Sequence, residues 1–308
     1  TIGGVIAAND SGPKRLKYGS ARDHVLGLRV VYPDGRLIRT GGKVVKNVAG
    51  YDMNKLFIGS MGTLGIITEV IFKLRPLPRE EALVLITIPE KEFHRLDQFV
   101  RTLLDSILDP ASLELFNPPL YKRLRGEEKY GLAVSLEDRS QAVAYQIEWL
   151  AHHLSPAFQA HVLGQEEARA FWQTVSHLPP NPAVDSDLEQ VVLKVGSLNM
   201  DVLAIMKQIQ QAANHIGTKV EAHGGLGHGI TYVYIHESGS EAEQMVRTLR
   251  RFVGERHGYV LLRHAPLAFR QKVGVWGEMP AYFSLLDGIR RTIDPRFTLN
   301  PKRFIGGL

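Results

Sequence analysis

The chain has 308 residues, 44% hydrophobic and 22% charged with a formal net charge of +5, which is the balance of a folded protein long enough for two cores. The absence of any cysteine excludes disulfides, zinc ribbons, thiolate-held iron–sulfur clusters and cysteinyl attachment of a cofactor within this chain. No run approaches the ~18 apolar residues of a membrane-spanning helix, and the opening residues lack the basic, apolar, small-residue order of a signal peptide, so a cytoplasmic location is expected.

Of the 29 glycines, 12 lie in the first 65 residues, which marks tight turns or a backbone that must approach a ligand. Pro33-Asp34-Gly35 between two β-rich segments, 24–32 and 36–40, reads as a hairpin, and 64–74 as a further strand. Arg75-Pro76-Leu77-Pro78 then breaks the pattern and predicts a domain boundary.

Beyond residue 80 a strand over 83–88 is followed by a helix with Phe93, Leu96, Val100, Leu103, Leu104 and Ile107 on one face. Strands over 112–116 and 130–136, a helix carrying Val143, Ile147, Leu150 and Leu154, and a strand over 160–163 complete a β-α-β-β-α-β order. The same order returns with strands over 191–195, 219–222, 230–235 and 259–262, and with helices carrying Val202, Ile205, Met206, Ile209 and Ile216, then Met245, Leu249 and Phe252. The expected class is α+β. Its second domain is two ferredoxin-like split-βαβ units sharing one antiparallel sheet with helices on a single face. Arg247–Arg256 reads as the solvated side of the last helix.

Chemistry concentrates in three glycine-bearing loops: Thr1-Ile2-Gly3-Gly4, Gly19-Ser20, and Gly59-Ser60-Met61-Gly62-Thr63-Leu64-Gly65-Ile66-Ile67. Bare amides in such loops suit a diphosphate. No Rossmann Gly-x-Gly-x-x-Gly follows a strand, and no Walker lysine follows the glycines.

With Lys46-Asn47-Val48-Ala49-Gly50-Tyr51-Asp52, Trp276-Gly277 and the ending Asp294-Pro295-x-x-x-Leu299-Asn300-Pro301-x-Arg303-Phe304, these motifs resemble the PCMH-type FAD-binding domains of the vanillyl-alcohol-oxidase superfamily. The nearest resemblance is to the FAD-binding E-subunit family of bacterial glycolate oxidases. It implies an FAD-binding domain over 1–78 whose upstream subdomain is missing, a cap or substrate domain over 79–275, and a segment over 276–308 returning to the flavin. It further implies that Thr1, Ile2, Gly3, Gly4, Gly19, Ser20, Gly62, Gly65, Ile66, Ile67 and Asn300 line FAD.

The implied activity is oxidation of a 2-hydroxy acid such as glycolate to glyoxylate, inside a complex with a catalytic flavin subunit and an iron–sulfur subunit, at most peripheral to a membrane. An FAD-binding subunit that supports catalysis elsewhere is the alternative. Basic charge with split-βαβ units also raises an RNA-binding module, but no strand carries the aromatic ribonucleoprotein signature.

Glu221-Ala222-His223-Gly224-Gly225-Leu226-Gly227-His228 occupies the place of a metal-holding histidine stretch in related dehydrogenases, with that ligand set broken. His223 and His228 are therefore candidates for catalysis or for a metal, against a glycine hairpin with exposed histidines. His264 borders the last strand as a third catalytic candidate, beside Arg263 and Arg270 for a substrate carboxylate. His152 and His153 complement a helix C-terminus.

Overall fold

The computed structural model describes residues 1–46, 50–180 and 189–308. In chain order these form α1 (Ile2–Ala8), α2 (Arg15–Tyr18), α3 (Ala21–His24), β1 (Val25–Val31), β2 (Leu37–Gly41), α4 (Asn54–Phe57) and β3 (Ile66–Phe72). Then come β4 (Glu80–Ile88), α5 (Leu96–Leu104), β5 (Ser112–Phe116), α6 (Pro118–Arg125), β6 (Tyr130–Asp138), α7 (Ser140–His153), β7 (Gln159–Leu163) and α8 (Gln165–Ser176). The remainder is β8 (Val191–Gly196), α9 (Asp201–Ile216), β9 (Val220–Gly225), β10 (Ile230–Ile235), α10 (Ser240–Gly254), β11 (Tyr259–His264), α11 (Leu267–Val273) and α12 (Phe283–Ile293).

Two compact units result. The first comprises Thr1–Gly12, Tyr18–Leu77 and Glu278–Leu308, and the second Pro13–Lys17 and Pro78–Gly277. In the first, β2, β1 and β3 form an antiparallel sheet. Its hairpin closes as Pro33-Asp34-Gly35 predicts: Gly35 takes φ +86°, its amide bonds Tyr32 O at 2.9 Å, and the Asp34 carboxylate accepts from the Arg36 amide at 3.0 Å. Ile6, Val25, Leu28, Val30, Phe57, Ile58 and Leu64 make its core.

The second unit is one eight-stranded antiparallel sheet in the order β11-β8-β10-β9-β5-β6-β4-β7. The second β-α-β-β-α-β order is present, the first carries α6 between β5 and β6, and the two join through β5 and β9. Helices α5, α7, α9 and α10 cover one face, where Val100, Leu103, Ile205, Met206 and Leu249 meet alternate strand residues such as Val84, Leu115 and Val233. The expectation of helices on a single face is corrected here. The other strand face carries Leu83, Leu85, Phe116, Val192 and Tyr234, apolar enough to need its own cover, and α6 and α8 supply it through Leu120, Tyr121, Phe171 and Val175. A second correction is local: α5 stops at Leu104, so Ile107 lies past the helix and is exposed.

Candidate functional site

In the first unit the glycine loops sort by what a side chain would meet. At Gly65 an added Cβ would lie 2.3 Å from Val30 Cγ1, and at Gly62, where φ is +71°, 2.6 Å from Asn300 Nδ2. The chain's own packing therefore requires these two glycines, and close approach of a ligand is not needed to explain them. Gly4 differs: a Cβ there would touch only Thr1 Oγ1, at 3.3 Å. Thr1 caps α1, its hydroxyl accepting from the Gly4 amide at 3.1 Å and its carbonyl from Val5. The amides of Ile2 and Gly3 are first-turn donors with no intrahelical acceptor, on a turn stripped of side chains at Gly3 and Gly4. Such a surface fits a planar or phosphorylated group brought against backbone.

Gly19 holds φ +79° so that the Asp23 carboxylate can fold back and accept from the Ser20 amide at 2.7 Å and its hydroxyl at 3.0 Å, a capping box at the start of α3. Ile66 and Ile67 open β3, and Ile67 O lies 3.0 Å from where a Gly3 Cβ would stand, so α1 rests directly on that strand. Asn300 donates its side-chain amide to Met61 O at 2.9 Å, joining the C-terminal loop to the glycine loop. Asn47, Val48 and Ala49 of the Lys46–Asp52 motif lie outside the described residues.

In the second unit a row of polar side chains crosses the sheet on the face shared with α6 and α8. Register produces it: His223 lies opposite Phe116 on β5 and Tyr232 on β10, and Glu114 lies opposite Gly225. Cross-strand and diagonal neighbours on one face meet. His223 Nδ1 lies 2.6 Å from Glu114 Oε1, and Nε2 lies 3.0 Å from the Tyr234 hydroxyl. Phe116 and Tyr234 stack on the imidazole at 5.7 and 5.8 Å, and Arg263 donates to the Tyr232 hydroxyl at 3.1 Å.

His228 folds back from the β9–β10 turn onto this row. A Cβ at Gly225 would stand 2.1 Å from the ring, so only glycine admits it. Its Nδ1 accepts from the Ile230 amide at 3.3 Å, which in the neutral ring puts the proton on Nε2, facing Glu114 Oε2 at 3.7 Å. Those two buried atoms have no hydrogen-bond partner. Burial pushes the Glu114 carboxyl up, but the hydrogen bond from His223 and the charge of His223 and His228 outweigh it and hold it below the ordinary carboxylate value. Burial drives the Tyr234 hydroxyl well above the ordinary phenol value. The row therefore holds a carboxylate, an imidazole and a neutral phenol in hydrogen-bonding sequence, with one further imidazole beside it.

His223 and His228 are brought together as expected, but His223 is buried at 4% exposure and His228 is partly buried. The reading of a glycine hairpin with exposed histidines is thereby overturned: the sheet face is covered. His264 does not join them, since β11 is separated from β9 by β8 and β10. Arg263, in the bulge between Leu262 and His264, does reach the row, through Tyr232, and Arg270 lies on α11. Among the described residues no group of three or more histidine or acidic side chains is arranged to hold a metal ion. Sequence reasoning missed Glu114, Phe116, Tyr232 and Tyr234. Their signals were a lone carboxylate inside the fully buried strand Ser112–Phe116 and two aromatics at period two in Ile230–Ile235.

Residues 1–41 match the FAD binding domain family. The chain is 44% identical over 138 residues to the glycolate oxidase subunit GlcD of Bacillus subtilis, covering 44% of this chain and 28% of that protein. It is 49% identical over 79 residues to the glycolate oxidase subunit GlcE of Escherichia coli, covering 26% of this chain and 23% of that one. Each match thus spans less than a third of the relative's length. A solved alkyldihydroxyacetonephosphate synthase superposes with a TM-score of 0.66 at 17% identity, over 99% of this chain and 58% of that chain, and so shares the fold. Together with the bare first turn of α1, these matches make FAD the cofactor of this chain.

Proposed function

We propose that this chain is the FAD-binding subunit of a glycolate-oxidising complex: glycolate becomes glyoxylate, and the two electrons pass to an iron–sulfur partner chain. The match of residues 1–41 to an FAD binding domain carries the reading, and the two glycolate oxidase relatives support the substrate class. A multi-subunit assembly is in keeping with relatives that are themselves named as subunits. A relay of cysteine-held metal clusters would sit outside these 308 residues, which contain no cysteine. Among the described residues no helix is long and apolar enough to cross a membrane.

FAD, when bound, supplies the two-electron acceptor. Thr1, Ile2, Gly3, Gly4, Gly19, Ser20, Gly62, Gly65, Ile66 and Ile67 would hold it, with Asn300 arriving from the C-terminal loop. The chain's own side chains would handle the proton and the charge. Glu114 Oε2 would accept the hydroxyl proton of the 2-hydroxy acid, with His228 Nε2–H facing the same carboxylate, since these are the atoms of the row left without a partner. Arg263 would orient the carboxylate, and His264 borders the same strand end.

One observation favours the alternative, a subunit that binds FAD while catalysis proceeds elsewhere. Both ring nitrogens of His223 are spent on Glu114 and Tyr234, which is how a structural histidine is held. The test joins the two. Purified holoprotein should show flavin absorbance and release FAD on denaturation; release of another cofactor, or none after FAD supplementation, overturns the proposal. In the assembled complex, His228→Ala with Glu114→Gln should cut glycolate-dependent dye reduction at least about tenfold, the effect of ~1.4 kcal/mol of barrier, with FAD content retained. Activity within about twofold of the parent assigns this chain the supporting role.

A further inference from the structure

Left-handed backbone is costly for residues with a side chain and clusters where function needs a fixed shape. Among the described residues, non-glycine positive φ occurs at Asn9, Met61, His257, Phe297, Asn300 and Lys302. All but His257 lie in the first unit, and they come from chain segments nearly 300 residues apart that the hydrogen bonds draw together. Asn9 ends α1 at φ 48°, and its Cβ lies 3.5 Å from where a Gly59 Cβ would stand. Gly59 N and Met61 N donate to Ile6 O and Ala7 O, at 3.2 and 2.8 Å. Met61 O in turn accepts from Asn300 Nδ2 at 2.9 Å.

Behind Asn300 stands a built anchor. Asp294, fully buried at the end of α12, accepts from the amides of Thr298 at 3.0 Å and Leu299 at 2.8 Å. Arg290, 1% exposed, gives Nη2 to Leu299 O at 2.6 Å and to Asp294 at 3.2 Å, and lies 5.2 Å over the Phe297 ring. Its Nε and Nη1 have no partner. A buried guanidinium left half-satisfied is expensive, and here it serves to fix the short loop that ends in Asn300.

We propose that Asn300 is a positioning residue for FAD: its amide latches the anchored C-terminal loop to Met61 O and so holds the Gly59–Ile67 loop, with the α1 end it caps, in the shape that receives the cofactor. Asp294 and Arg290 are the base of the latch. The proposal rests on the FAD reading above and makes Asn300 act through the glycine loop, with its side-chain nitrogen engaged there.

Asn300→Gly tests it, because glycine accepts the left-handed φ of 42° while removing the side chain that carries the amide. Holoprotein is stripped of FAD and titrated with FAD by flavin fluorescence, and the melting of each apoprotein is recorded. The expected result is at least a tenfold weaker FAD dissociation constant with an apoprotein melting temperature at or above the parent's. A Gly62→Ala change, whose Cβ would press on Asn300 Nδ2, should weaken FAD binding in the parent background and cost less in the Asn300→Gly background. Unchanged FAD affinity in Asn300→Gly, or strictly additive costs in the pair, overturns the latch while leaving the FAD reading intact. A parent holoprotein that carries no FAD overturns the FAD reading itself.

Discussion

At Asp294 burial alone would raise the carboxyl, but the backbone amides of Leu299 and Thr298 and the charge of Arg290 outweigh it and hold the carboxyl below its ordinary value. A depressed carboxyl contributes stability that is present above its unfolded value, near ~4, and is lost as pH falls through the folded one. Asp294→Asn should therefore melt lower than the parent at pH 7, by about 3 kcal/mol for an orphaned buried guanidinium, and the gap should close as both proteins are taken below pH ~4. Scans at a series of pH values check this, and a gap that persists in acid refutes the electrostatic account. In the second unit Tyr234→Phe removes one acceptor or donor from His223 and nothing else of comparable size. It should cost about 1 kcal/mol of stability, measured by urea unfolding, with the Glu114–His223 contact kept. Residue roles of this kind were the least legible in the sequence. Glu114 and His223 stand 109 positions apart, and no spacing rule joins residues that only a sheet register makes neighbours.

Elements were legible wherever period and punctuation agreed. The eight strands of the second unit and its helices α5, α7, α9 and α10 follow from apolar residues at periods of two and 3.6. Two of the helices that escaped notice have identifiable reasons. α6 begins Asn117-Pro118-Pro119, where prolines read as a break although Asn117 caps the helix through the Leu120 amide at 3.2 Å. α8 buries only Ala168, Phe171 and Val175, too thin a stripe to stand out. Missing them made the second sheet face look open and the histidines exposed. The β9–β10 turn offers a test at this scale. Gly225→Ala must push the His228 ring out of its place, since its atoms would stand 2.1 Å from the new methyl. The expected outcome is a shifted His228 imidazole resonance in NMR, with His223 in place. An unmoved His228 would show that the strand itself gives way.

At the scale of the whole molecule, two units with separate cores imply separable responses. A ligand that binds only the native form of one unit stabilises that unit by mass action, about 2.7 kcal/mol at a hundredfold excess over its dissociation constant. FAD should therefore raise the melting of the first unit, followed by tyrosine-to-flavin signals or hydrogen exchange at β1 and β3, and leave exchange at β4 and β6 unchanged. Equal protection of both sheets would contradict independent units. The paired split-βαβ order was visible as a repeat of pattern; the sheet order was not, because nothing in either repeat announces that β5 and β9 will pair.

That junction has a consequence of its own. β5 and β9 share only three register pairs, Glu114 with Gly225, Leu115 with Gly224 and Phe116 with His223, against nine between β4 and β6. Just beyond it the side chain of Asn117 copies a missing rung, donating to Val220 O at 2.8 Å and accepting from the Ala222 amide at 2.9 Å. Glu114 belongs to one repeat and His223 to the other, so neither half-sheet contains the polar row. The row is a product of the stitch. Grafting either repeat into a foreign chain would transplant half a site, and a chimera would inherit the whole of it only by inheriting these three rungs and their asparagine together.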